Sequence, residues 1–124
     1  MDKFYSPKII AILFNQKSKD AESLALGLKQ KLKDDFEVFS QSAESALNNG
    51  LNNEEIDLII SIGGDGTVLR CAHVLNGSNC PILGINLGRL GFLCEIDSND
   101  LDQKLLPYLN GNGVLEKRSV LKIS

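Results

Sequence analysis

The chain has 124 residues, 43% hydrophobic and 23% charged, with 13 Lys plus Arg against 16 Asp plus Glu and a net charge of −3. That length is about one domain, and the composition excludes a disordered, collagenous or low-complexity chain. The mild acidity lacks the basic excess of a nucleic-acid binder, so no nucleic-acid partner is expected.

The longest apolar run, residues 9–14, is far short of the roughly 20 residues that span a bilayer. It starts too late, and lacks the small-residue cleavage site, to be a signal peptide. A cytoplasmic chain with no membrane partner is expected. Cys71, Cys80 and Cys94 are an odd number at irregular spacings, with no C-x-x-C pair, so they read as reduced thiols that pack like small hydrophobes. His73, the single histidine, stands two residues from Cys71 in the expected helix with no third ligand evident, and no metal site or His-based triad is read from the residues.

Residues 8–14, Lys8 followed by six unbroken apolar residues, have the pattern of a strand buried on both faces of a parallel sheet. A helix over residues 20–33 follows, with Ala21, Leu24, Ala25, Leu28 and Leu32 on one stripe and Glu22, Lys29 and Lys33 opposite. Residues 36–39 read as a short strand. Residues 40–54 are polar and admit either one short helix or a loop. Residues 57–62 are a third strand, ended by Gly63 to Gly66, and a helix over 67–75 follows. Residues 76–79 are a turn. Residues 81–86 are a fourth strand, with a second glycine loop at 88–91. Ser98 caps a last helix carrying Leu101, Leu105 and Leu109, with Asp100 and Asp102 in its first turn. Residues 110–113 turn, and the chain is extended from Val114.

This alternation argues for an α/β fold: a doubly wound, mostly parallel sheet in a three-layer, Rossmann-like or phosphofructokinase-like domain. Ligands of such sheets bind beyond the carboxyl ends of the strands, where both glycine loops fall.

Gly63, Gly64, Asp65, Gly66 and Thr67 stand between a buried strand and a helix. The glycines let a ligand approach the backbone, and the helix start offers N–H groups and a positive dipole end to a phosphate. Asp65 would repel a phosphate unless it holds a metal or accepts a proton or hydrogen bond from a hydroxyl. The loop therefore suits a phosphate-bearing ligand with a nearby hydroxyl, Asp65 acting as base or orienter. The alternative is a tight turn whose Asp caps a helix beginning at Thr67. Arg70 is placed either to reach a phosphate or to stand as a solvated helix charge. In the second loop Asn86 ends its strand, Gly88 and Gly91 bare the backbone around Arg89, and Phe92 offers an aromatic face to a base. The alternative there is a connector with Phe92 in the core. No G-x-x-x-x-G-K-[ST] occurs, and no G-x-G-x-x-G follows the first strand.

The two loops together resemble the NAD kinase family. Diacylglycerol and sphingosine kinases and phosphofructokinases carry similar Gly-Gly-Asp-Gly loops, and the second loop at this distance discriminates for NAD kinases. Residues 115–121 also look like the passage from that family's first domain to its second. The likeness runs from about Ile56 to the last residue, and less specifically over the first strand and helix. It implies transfer of the terminal phosphoryl of ATP, or of polyphosphate, to the 2′-hydroxyl of the adenosine ribose of NAD, giving NADP, with Mg²⁺ or another divalent metal. It implies that Asp65 is catalytic and that Gly63, Gly64, Asp65, Gly66, Thr67, Arg70, Asn86, Gly88, Gly91 and Phe92 bind nucleotide, Phe92 near the adenine.

The family's second, β-rich domain carries an Asn-Glu or Asn-Asp motif for the NAD ribose. No such motif follows residue 93, and Asn53-Glu54 lies upstream of the loop. The chain is accordingly expected to be an N-terminal domain over residues 1–113, with 114–124 starting a second. Alone it is expected to be weak or inactive, and the full-length protein a homo-oligomer. The alternatives are another kinase with this loop, for lipid or sugar, and a non-catalytic nucleotide-binding module.

Overall fold

The computed structural model describes residues 3–5, 7–51, 55–75, 78–87, 96–97, 113–115 and 121–123. The helix expected after Ser98, the loop with Gly88, Arg89 and Gly91, and Phe92 and Cys94 lie outside the described residues.

The centre is a parallel sheet. It contains β2 (Ile9–Phe14), β3 (Glu37–Ser42), β4 (Leu58–Gly63), β5 (Ile82–Asn86) and the two-residue β6 (Ile96–Asp97). The order is β3-β2-β4-β5-β6, and every neighbour pair is parallel. Each unbroken apolar run alternates its side chains between two cores, which is why these strands show no polar face. On one face Ile10, Ile12, Leu58, Ile60, Ile62, Leu83 and Ile85 pack against Ala21, Ala25, Leu28 and Leu32 of α1 (Lys19–Leu32). On the other, Ala11, Leu13, Ile59 and Ile82 pack against Ala43 and Ala46 of α2 (Ala43–Asn49) and Val68 and Cys71 of α3 (Asp65–Leu75). The doubly wound, three-layer α/β reading holds.

Ser18 caps α1, its hydroxyl accepting the Ala21 N–H at 3.1 Å. The expected apolar stripe is the buried one, with Leu24 half-buried. β3 runs three residues past the expected strand because Ser40, Gln41 and Ser42 pair with Ile12, Leu13 and Phe14 of β2. The open segment 40–54 contains α2, capped by Ser42. Gly50, at φ 84°, closes it with its N–H on the Ala46 carbonyl, a conformation that favours glycine. Asp57 lies before β4 rather than in it. Its Oδ2 accepts the Lys8 and Ile9 N–H groups at 3.0 and 2.9 Å, fastening β2 at its amino end.

A small antiparallel sheet, unforeseen from sequence, joins β1 (Lys3–Tyr5), β7 (Gly113–Leu115) and β8 (Leu121–Ile123) in the order β1-β7-β8. The extended stretch from Val114 supplies two of its strands.

In the parallel sheet the chain steps outward from β2 to β3, then resumes on β2's other side at β4. That reversal is the switch point of the sheet, between β2 and β4, and ligands in sheets of this order bind beyond the carboxyl ends of the strands there.

Candidate functional site

The glycine loop lies at this switch point. Gly63 is the last residue of β4, and Asp65 is the first of α3. The helix thus begins two residues earlier than its apolar pattern suggests. The Gly64 carbonyl accepts the Thr67 and Val68 N–H groups at 3.1 and 3.2 Å, so backbone, with Gly64 in the capping position, opens the helix. Asp65 stands within the positive first turn, where a carboxylate is stabilised and N–H groups point out of the helical ladder.

The three glycines differ. A Cβ on Gly63 would collide with the Thr67 hydroxyl and come within 3.1 Å of Thr67 Cβ and 3.3 Å of Asn15 Cβ. Gly63 is therefore demanded by the fold. A Cβ on Gly64 would meet nothing within 4 Å, and one on Gly66 only Arg70 Nη1 at 3.7 Å. Packing does not require glycine at either position. Both leave open backbone beside a helix start, as a phosphate needs.

Neighbouring strand ends are stitched to this loop. The Asn15 N–H donates to the Ile62 carbonyl at 3.1 Å, and the Leu87 N–H to the Gly63 carbonyl at 3.3 Å. Asn15 Oδ1 accepts the Lys17 N–H at 3.0 Å, turning the chain from β2 into α1. Asn86 pairs with Gly63 in the sheet. It is 3% exposed, and its Nδ2 has no hydrogen-bond partner among the described residues. A buried amide donor without a partner is costly, so Asn86 has capacity for a ligand.

Arg70 stands one turn beyond Asp65, its side chain 40% exposed. Its Nε is 3.8 Å from Glu44 Oε2, while Glu44 Oε1 accepts the Gln16 N–H at 3.0 Å. The structure thus brings together Gly63, Gly64, Asp65, Gly66, Thr67, Arg70 and Asn86. Gly88, Gly91 and Phe92 are outside the described residues. Sequence reasoning missed Asn15 and Glu44. Asn15 carried the signal of a turn former directly after a buried strand. Glu44 lay in the unassigned segment, two residues after a capping serine.

Residues 10–112 match the ATP-NAD kinase N-terminal domain family. The chain belongs to that family. Among its relatives, the NAD kinase of Dehalococcoides mccartyi is 36% identical over 116 residues, 93% of this chain and 41% of the relative. That of Flavobacterium johnsoniae is 40% identical over 96 residues, 77% of this chain and 30% of the relative. That of Porphyromonas gingivalis is 44% identical over 71 residues, 57% and 25%. The matched spans are thus under half the length of these NAD kinases. Yeast NADH kinase complexed with NADH superposes with a TM-score of 0.57 at 15% identity, over 89% of this chain and 40% of that one. That likeness concerns the fold.

Burial pushes the Cys71 thiol up to about 12. Burial, then the nearby Asp57 carboxylate, does the same for Cys80. Thiols so raised stay protonated and unreactive at neutral pH. Among the described residues no group of three His, Cys, Asp or Glu side chains gathers to hold a metal, and no helix is long and apolar enough to cross a membrane.

Proposed function

We propose that this chain is the nucleotide-binding half of an NAD kinase, which transfers the terminal phosphoryl of ATP or polyphosphate to the 2′-hydroxyl of the adenosine ribose of NAD. The observation that carries the reading is the open backbone of Gly64 and Gly66 around Asp65 at the switch point of the sheet. Asp65 orients the hydroxyl and accepts its proton. The hydroxyl oxygen bonds to the terminal phosphorus as the bond to the leaving oxygen breaks, releasing ADP from ATP or a polyphosphate shorter by one phosphate, and NADP results. Gly63, by lacking a Cβ, lets Thr67 pack against the end of β4, and Gly64 and Gly66 seat phosphates. Arg70 faces phosphate charge, Asn86 donates to the ligand, and by the family resemblance Gly88, Gly91 and Phe92 also bind nucleotide, Phe92 near the adenine. Divalent metal, Mg²⁺ by preference, enters as part of the donor, because Mg²⁺ is usually held by one or two carboxylates together with substrate phosphates.

Phosphoryl transfer depends on positioning, and the relatives continue well beyond the matched span. We place the remainder of the NAD cleft on a second domain, residues 114–124 forming the passage to it, in a cytoplasmic homo-oligomer. The test is an acceptor panel on the chain extended through that domain, with ATP and Mg²⁺. Phosphate should appear on NAD, read by a dehydrogenase that accepts only NADP. Phosphate on sphingosine, diacylglycerol or fructose 6-phosphate instead would assign another kinase. Binding without turnover on any acceptor would assign a non-catalytic module.

A further inference from the structure

Glu44 lies in the first turn of α2, outside every motif of the sequence. Its two oxygens face different elements. Oε1 accepts the Gln16 N–H in the loop between β2 and α1. Oε2 is buried, without a hydrogen-bond partner among the described residues, and faces Arg70 Nε on α3 at 3.8 Å. A buried carboxylate oxygen is costly unless a cation compensates it, and the Arg70 guanidinium is the cation placed there. The other end of that guanidinium reaches over the glycine loop, Nη1 lying 3.7 Å from the Cβ position of Gly66.

We infer that Glu44 is a positioning residue: it anchors Arg70 through Nε, so that the terminal guanidinium nitrogens stand over the glycine loop to meet a ligand's phosphate, and it ties that wall to the β2–α1 loop. The identity of the ligand rests on the kinase reading; the anchoring rests on geometry alone. Two effects of Glu44 oppose each other. As a bare negative charge it repels phosphate, and neutralising it would tighten binding. As an anchor it preorganises Arg70, and neutralising it loosens binding. The sign of the change separates the two.

The test titrates inorganic tripolyphosphate into the chain, followed by ¹⁵N NMR at the Gly64 and Gly66 amides and at Arg70 Nε–H. The unaltered chain is compared with Glu44→Gln, Arg70→Ala and the double variant. Glu44→Gln is isosteric and keeps an oxygen for the Gln16 N–H, so the Gln16 amide signal holds its place and reports an intact fold. Arg70→Ala should weaken binding by about three- to tenfold, the range of one charge-assisted contact at a half-exposed site. Glu44→Gln should weaken it by a similar factor, and the double variant no further than Arg70→Ala alone. Binding by Glu44→Gln that is unchanged or tighter overturns the proposal. So does a Glu44→Gln loss that adds in full to that of Arg70→Ala, or an unaltered chain whose 64–67 amides ignore tripolyphosphate. The kinase reading stands or falls separately, on the acceptor panel.

Discussion

Two neighbouring glycines have different jobs. Gly63→Ala forces a methyl into Thr67 and toward Asn15, so it should lower stability by about 1–3 kcal/mol, as overpacking does. Gly64→Ala meets open space and should unfold within about 0.5 kcal/mol of the unaltered chain. It should nevertheless bind nucleotide about tenfold more weakly, the equivalent of about 1.4 kcal/mol of lost approach. Urea unfolding and nucleotide titration of both variants check the pair. The thiols give a pH dependence. Cys71 titrates near 9.0 when unfolded and is raised to about 12 when folded. Between these values the unfolded state releases a proton that the folded state keeps, so stability must fall as pH rises. Urea midpoints should be flat through neutral pH and decline above about pH 9, by at most about 1.4 kcal/mol per unit from this thiol. Cys71→Ala should lessen that slope.

At the scale of elements, what sequence could not foretell was set by partners distant in the chain. β2, β4 and β5 were legible because both their faces are buried. β3 was read short because its second half is half-buried edge, held by pairing with β2 rather than by apolar character. α2 has seven residues and only Ala43 and Ala46 in the core, too few to show a period. β1, β7 and β8 have three residues each, too few to show an apolar pattern, and β1 finds its partner β7 more than a hundred residues along the chain. Asp57 shows how one side chain sets register: two strand amides converge on Oδ2. Asp57→Ala should cost about 1–3 kcal/mol, since both N–H groups lose a charged acceptor. Asp57→Asn, which keeps one oxygen, should recover part of it. Thermal unfolding of the two variants decides this.

At the scale of the molecule, the carboxyl ends of β2, β4 and β5 are drawn together by Asn15–Ile62 and Gly63–Leu87 hydrogen bonds, and the glycine loop stands over that seam. The loop was legible because its chemistry is local: bare backbone, a helix start and one carboxylate within five residues. Asn15 and Glu44 were not, because only the sheet order brings residues 15, 44 and 70 to one place. The shared span is under half the length of the matched NAD kinases, and in the proposed function this seam forms one wall of the NAD cleft. The chain by itself should bind nucleotide weakly and turn over slowly or not at all. NADP formation by the chain extended through the proposed second domain, with Asp65 intact and as Asp65→Asn, tests the kinase reading most directly. Loss of a positioned general base should lower kcat by about 10²- to 10⁴-fold while KM for NAD changes little. Asp65→Asn that forms NADP at the unaltered rate would contradict it.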